Sequence, residues 1–311
     1  MDSEDLAWVR GALRSRSEAT VSLGSPTAQF GLNAFEGIRC YWNPPLGQLF
    51  VFRLQDHIER LFQSCRVMEI PLPYKAEDVA DIVVSTLRAN ELREDAAVRL
   101  IAYVDGEGSW HSTEPADLVA FTSPRARLSE VVAHGVRACV SSWRRINDSS
   151  MPPRVKAGAN YVNSRYALLE ARRNGFDVPI LLGADAKVSE SSGACVVLIR
   201  DGVVVTPPGT ASVLESITTT TVLSLCADMG FPVDVRPVDR TELYLAEEVF
   251  LCGSAAELTP VVSIDGHPVG AGVPGVNVSR LLQEYHHAAD GSRDDQRGWL
   301  KAVYPEIPVT S

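Results

Sequence analysis

Short runs of Val, Ile and Leu, each closed by Gly, Pro or Asp, dominate the second half of the chain. They read GVRACVSSW from Gly135, VPILLGA from Val178, CVVLIRDGVVVTP from Cys195, FPVDVRPV from Phe231 and EEVFLCG from Glu247. Brief β-branched runs between turn residues are strand signals, and Asp201-Gly202 inside IRDGVVV marks a two-residue hairpin turn. Helices are interleaved with them. Asn160–Asn174 carries the helix-former run YALLEARRN and stops at Gly175, and Thr218–Asp228 closes with Gly230. This mixture predicts an α+β or mixed-sheet domain.

The first part alternates in the same way. TVSLG (20–24) and GQLFVFRL are expected strands, followed by a helix from Gln55 to Met68 whose Ile58, Leu61, Phe62 and Cys65 recur at helical spacing. Pro71 and Pro73 end it. A second helix is expected over Ala76–Asn90, with Val79, Ile82, Val83 and Leu87 on one side, and then the strands AAVRLIAYV and DLVAFTS. At Thr122–Ser129 the sequence TSPRARLS turns polar, basic and proline-bearing, as a linker does. The expected division is a small domain over 1–122, an interdomain loop over 123–130 and a large domain over 131–311. Two domains agree with a length of 311 residues, and DGSRDDQRG at 290–298 reads as a solvated turn.

A formal charge of −10 argues against non-specific attraction to nucleic acid or anionic lipid. No stretch approaches the ~18 apolar residues of a membrane span, and the acidic start MDSEDLAWVR has no apolar signal core, so a cytoplasmic protein is expected. The six cysteines lie apart without a C-x-x-C pair, as buried thiols rather than disulfides or a zinc site. GEGSW at 106–110 lacks the rest of a dinucleotide fingerprint, and His57-Ile58-Glu59 lacks the P-C-x-x-C of a zinc deaminase. Neither a G-x-S-x-G elbow nor a Walker loop occurs.

Three passages carry more information: NAFEGIRCYW (33–42), RVKAGANYVNSRYALLEARRNGFD (154–177) and EEVFLCGSAAELTPVVSIDGHPVG (247–270). They resemble the hallmark segments of branched-chain amino acid aminotransferases, within the fold-type IV group of pyridoxal 5′-phosphate enzymes. The resemblance continues in order through HIERLFQSC (57–65), VSESSG (188–193), VVTPPGTASVLESIT (204–218) and ELYLAEEV (242–249), and so covers nearly the whole chain. It implies a two-domain fold like that of D-amino acid aminotransferase, with a small α/β N-terminal domain and a larger β-barrel-like C-terminal domain. It also implies a homodimer or higher homo-oligomer whose partners are small-molecule substrates, an amino acid and a 2-oxo acid.

Residue by residue, the resemblance makes Lys156 the Schiff-base lysine. Such an amine must lose its proton to act as a nucleophile and regain it to shuttle hydrogen. Glu190 matches the acid that faces the pyridine nitrogen, whose negative charge keeps the ring an electron sink, and Tyr161 matches the tyrosine that hydrogen-bonds the phenolic oxygen. The phosphate cup falls to Arg60, to the amides of Ile217 and Thr218, and to the hydroxyls of Thr218 and Ser254. A helix start at 218 suits an anion, because its first N–H groups are unpaired and lie at the positive end of the dipole. For the substrate, Arg99 matches the arginine that takes the distal carboxylate of glutamate or 2-oxoglutarate, a role a planar guanidinium suits. Phe30, Phe35, Gly37 and Arg39 match the small-domain wall, and Ser254 with Ala255 the turn that holds the α-carboxylate.

The chain departs from the family pattern in the same region. Phe30 and Ala97 stand where tyrosines are usual, and 123–127 lacks the aromatic of the interdomain loop. Leu214-Glu215-Ser216 replaces leucine-proline-glycine, and Gly193-Ala194-Cys195 replaces Gly-Glu-Asn. An acidic Glu215 beside a phosphate is unfavourable unless its side chain points to solvent. The expectation is transamination of a branched-chain or related, more specialised L-amino acid with 2-oxoglutarate. The rivals are an aminodeoxychorismate-lyase-like or D-amino acid enzyme of the same fold, and a catalytically silent binding protein.

Overall fold

The computed structural model describes residues 5–305. Two compact units divide them: the first gathers described residues among 1–126, 156–159 and 287–311, the second 127–155 and 160–286.

The first unit is built on an antiparallel sheet. Its strands are β1 (Leu6–Val9), β2 (Ala12–Ser15), β3 (Asn33–Asn43), β4 (Gln48–Phe52), β5 (Ala96–Val104) and β6 (Ala116–Pro124), joined by a C-terminal strand, Leu300–Ala302. From edge to edge the order is Leu300–Ala302, β4, β3, β5, β6, β1, β2. Three helices accompany it: α1 (Pro26–Phe30), α2 (Leu54–Val67) and α3 (Ala76–Ala89). Strand side chains alternate between faces. Ala34, Ile38, Val98, Leu100 and Ala102 therefore meet Ile58, Leu61, Val79, Val83 and Leu87 of α2 and α3 in one buried core, each large side chain worth ~1.5–3 kcal/mol. The helices keep the bounds that the apolar spacing predicts, to within a residue or two.

Thr20–Gly24 is not a strand. Val21 and Leu23 are exposed, Leu23 at 88 %, and the edge of the sheet is taken by the β1–β2 hairpin. Its Arg10-Gly11 turn has φ +49° and +79°, the left-handed pair that matches strand twist.

The second unit contains β7 (Val136–Arg144), β8 (Val178–Leu182), β9 (Val188–Ser191), β10 (Cys195–Arg200), β11 (Val203–Thr206), β12 (Val233–Val235), β13 (Glu248–Gly253) and β14 (Glu257–Ile264). Its helices include α4 (Ser129–His134), α5 (Tyr161–Arg173) and α6 (Ile217–Asp228). Six strands close on themselves in the order β10, β13, β14, β7, β8, β9 and back to β10. The pair that closes this barrel is Glu190 opposite Cys195. Ile180, Val188, Val196, Leu198, Val249, Leu251 and Val261 belong to its apolar core. Gly135 opens β7 at φ +68° and ψ 178°, a backbone region left to glycine, where a Cβ would lie 2.4 Å from Val262 Cγ1. Gly135→Ala should cost about 1–3 kcal/mol in denaturant unfolding.

The structure's elements and contact units differ from the expected division at three points. β6 runs on to Pro124 and α4 begins at Ser129, so the irregular connection is shorter than 123–130. Residues 287–305 join the first unit, because Leu300–Ala302 pairs with β4. Lys156–Ala159 also belongs there, through a bridge between Ala34 and Ala157. All six cysteines are buried, and none is joined to another by a disulfide. Among the described residues no helix is long and apolar enough to cross a membrane.

Candidate active site

The register of the first sheet decides which of the expected residues stand together. Phe35 pairs with Ile101, Gly37 with Arg99 and Arg39 with Ala97, so Phe35, Gly37, Arg39 and Arg99 share the face opposite the helices. The Arg99 guanidinium lies 4.8 Å and Lys156 Nζ 5.1 Å from the centroid of the Phe35 ring, within the range at which an aromatic face attracts a cation. Lys156 is held by its backbone: its N–H donates to Ser64 Oγ (3.1 Å) and its carbonyl accepts from Phe35 N–H (3.0 Å). At position 37 a Cβ would meet the Arg99 guanidinium at an ordinary contact distance of 3.9 Å. Arg39 is buried, donates to Ala126 O at 3.4 Å and lies over Tyr41. Phe30 ends α1 and is 42 % exposed.

On the core face, beneath Phe35 and Gly37, sits a carboxylate. Glu36 is fully buried and forks Arg60, Nε to Oε1 at 2.7 Å and Nη2 to Oε2 at 2.8 Å, while His57 Nδ1 lies 2.7 Å from Oε2. Burial alone would raise the Glu36 pKa. The Arg60 charge and hydrogen bonds, helped by His57, outweigh it and bring the pKa down to about 2. Burial pushes His57 below its ordinary value. One edge of the Arg60 guanidinium is therefore committed to Glu36.

In the second unit Glu190, the start of α6 and the end of β13 are tied to one another by hydrogen bonds and close contacts. Glu190, on the buried strand β9, takes Arg145 on Oε1 at 2.7 Å and the Leu214 amide on Oε2 at 2.9 Å. Leu214 leads into α6, whose N-cap Ser216 accepts the Thr219 amide. The amides of Ile217 and Thr218, in the first turn, lie outside the helix's own ladder. Thr219 Oγ1 lies 3.2 Å from Cys252 Sγ, tying that turn to the end of β13. There Gly253 approaches Gly193 O so closely that a Cβ would stand 3.2 Å away, and Ser254 and Ala255 form the turn into β14. Tyr161 is the first residue of α5. Before it, Asn160 Nδ2 donates to Pro152 O and Val155 O, fixing the chain that leads to Lys156.

A backbone-anchored lysine, a buried acid and a helix start placed for an anion are the groups that the resemblance assigns to cofactor chemistry. The sequence profile of the family described as Amino-transferase class IV matches residues 33–264. The chain belongs to the class IV aminotransferases. It is 38 % identical over 304 residues to the probable branched-chain-amino-acid aminotransferase of Aquifex aeolicus, covering 97 % of this chain and 98 % of that one. Two similar solved structures are branched-chain aminotransferases. That of Thermoproteus uzoniensis with norvaline shows 38 % identity and a TM-score of 0.90, with 97 % and 100 % of the two chains covered. That of a T.th. strain, complexed with N-(5′-phosphopyridoxyl)-L-glutamate, shows 33 % and 0.91, with 97 % and 99 % covered. This aminotransferase is of the branched-chain type and uses pyridoxal phosphate.

The donor set of the aminotransferase suits that cofactor: a buried carboxylate for a ring N–H, and a helix N-terminus with unpaired amides for a phosphate. Glu215 does not oppose the phosphate role of its neighbours in the way its charge suggests. Its side chain is 61 % exposed and pairs with Arg154 at 2.8 Å. Glu215→Ala should change stability by no more than about 1 kcal/mol, as exposed pairs do, in a comparison of thermal midpoints. Sequence reasoning missed two buried charges that pair with candidate site residues, Glu36 with Arg60 and Arg145 with Glu190. Each is a charge at a buried strand or strand-end position, and the inward parity of Glu36 with Ala34 and Ile38 is a legible signal.

Proposed function

We propose that the enzyme moves an amino group between a branched-chain or related aliphatic L-amino acid and 2-oxoglutarate, with Lys156 as the amine that binds the cofactor covalently. The observation that carries this reading is the Phe35 ring, shared by the Lys156 amine and the Arg99 guanidinium. A nucleophile and a receptor for a second carboxylate thereby meet one aromatic surface. The norvaline and phosphopyridoxyl-glutamate complexes of the related enzymes fit an aliphatic amino acid and glutamate as the two substrates.

Pyridoxal phosphate supplies, when bound, the electron sink for the Cα–H bond that is broken. The protein's part is binding and proton transfer. Once the substrate's own amine had displaced it from the cofactor, the freed Lys156 amine would take the proton from the substrate Cα and later give it back, the same side chain acting as base and then acid. Glu190 accepts the ring N–H, and Tyr161 hydrogen-bonds the phenolic oxygen. The Ile217 and Thr218 amides, the Thr218 and Ser254 hydroxyls and Arg60 hold the phosphate. Arg99 holds the distal carboxylate of the five-carbon acid, and the Ser254–Ala255 turn holds the α-carboxylate. Phe30, Phe35, Gly37 and Arg39 line the side-chain region.

The working form is a homo-oligomer of a cytoplasmic enzyme. Trp143 and Tyr166 stack at 4.9 Å while each stays roughly half exposed, an apolar surface of the kind that subunits cover, and light scattering would measure the mass. Purified holoenzyme assayed with a panel of L-amino acids and 2-oxoglutarate should form glutamate fastest with leucine, isoleucine, valine or norvaline. Glutamate formation confined to polar or aromatic amino acids would overturn the substrate assignment. Pyruvate release without a keto acid would overturn the reaction.

A further inference from the structure

We propose that Arg145 is a positioning residue for the acid of this enzyme, holding Glu190 as an oriented anion so that it receives the cofactor's ring N–H without taking the proton. The proposal rests on the reading of Glu190 as the partner of the ring nitrogen.

The two side chains form a buried ion pair, 6 % and 7 % exposed, at 2.7 Å. The pair is built into the barrel rather than laid on it. Arg145 N–H donates to Leu182 O of β8 (2.9 Å), and its Nη1 reaches Asn163 Oδ1 on α5 (3.4 Å), two residues beyond Tyr161. Its Nε is buried with no acceptor among the described residues, a cost tolerated at a site where the guanidinium's place is fixed by something else. Glu190 in turn spends its second oxygen on the Leu214 amide. One guanidinium therefore links the strand that carries the acid, the helix that begins with Tyr161 and, through Glu190, the segment that leads into α6.

The chemistry follows from burial. A buried carboxylate without a cation tends to keep a proton, and a neighbouring guanidinium favours the ionised form. A protonated acid would face a neutral pyridine nitrogen and weaken the electron sink. A paired acid can only accept, which leaves the proton on the ring.

The test compares Arg145→Gln and Arg145→Met holoenzymes with wild type and with Arg145→Lys, using cofactor labelled with ¹⁵N in the ring. In wild type the ring nitrogen should give the protonated shift throughout the working pH range. Arg145→Gln and Arg145→Met should move it toward the neutral value. Turnover should fall by roughly 10- to 100-fold with KM for the amino acid changed by less than about threefold, and Arg145→Lys should restore part of both. If either charge-deleting variant folds, binds cofactor and keeps the protonated shift and the wild-type pH profile, the proposal is overturned. Glu190→Gln separates the two levels. If its ring shift matches wild type, the reading of Glu190 fails. If it changes while Arg145→Gln and Arg145→Met do not, only the role of Arg145 fails.

Discussion

Replacing Lys156 by alanine or arginine is expected to abolish amino transfer, by on the order of 10⁴-fold or more, the upper range for a positioned acid–base group. In the proposed function the same group is also the nucleophile. The fold should survive the change. The bonds that place this residue, from its N–H to Ser64 Oγ and from Phe35 N–H to its carbonyl, are backbone bonds that any side chain leaves in place. What is lost structurally is the amine over the Phe35 ring, a contact worth about 0.5–1 kcal/mol at a partly exposed site. Glutamate formation measures the first effect and denaturant unfolding the second. Borohydride treatment followed by denaturation shows whether the cofactor was attached, and it should be released from both variants. A Lys156→Ala enzyme that retained a tenth of the activity, with cofactor still covalently bound, would move the nucleophile to another residue.

Most of the site is legible because the family motifs are contiguous in sequence, while the register that assembles them is not. NAFEGIRCYW supplies Phe35, Gly37 and Arg39, and a period of two puts them on one face. That Arg99 stands opposite Gly37, and not one residue away, is a property of the β3–β5 pairing, which no single strand encodes. The same period contains a further signal. Glu36 falls between Phe35 and Gly37 on the parity of Ala34 and Ile38, so a charged residue stands where the strand turns toward its core, and such a position requires a buried partner. Arg145 leaves a weaker trace, two consecutive arginines at the end of a strand. Its partner is Glu190, on a strand separated from it by all of α5 and β8, so nothing local points to the pair. Residues 287–305 follow the large domain in sequence, and their strand Leu300–Ala302 lies beside β4 of the small domain's sheet. Their place next to β4 is a long-range pairing, and Thr20–Gly24 fails as a strand for the complementary reason, since an alternating run forms one only where an edge is left to pair with.

The second large effect is expected at Glu36. Glu36→Gln should destabilise the protein by roughly 3–5 kcal/mol, because it leaves the Arg60 charge buried without its counter-ion. The geometry and the acid–base shift agree on the size. A carboxyl whose pKa falls from 4.5 to about 2 contributes on the order of 3 kcal/mol at neutral pH. The direction follows from proton counting. With the folded value below the unfolded one, the unfolded chain binds the proton first, so the contribution is complete above pH 4.5 and is lost as pH falls from there toward 2. His57, also lowered from its ordinary 6.5, acts in the same sense at higher pH, its share being complete above that value and declining as the medium becomes more acid. Wild-type stability measured by urea unfolding should therefore decline in two stages on acidification. The Glu36→Gln variant should start lower and show a flatter curve between pH 4.5 and 2. The double substitution Glu36→Leu with Arg60→Met should recover much of the stability, since removing both charges leaves neither unpaired. Cofactor affinity should stay low in that double variant, because the arginine proposed to hold the phosphate has gone with its support. Recovery of both would show Arg60 to be purely structural. A Glu36→Gln variant as stable as wild type would mean that the buried fork holds nothing in place.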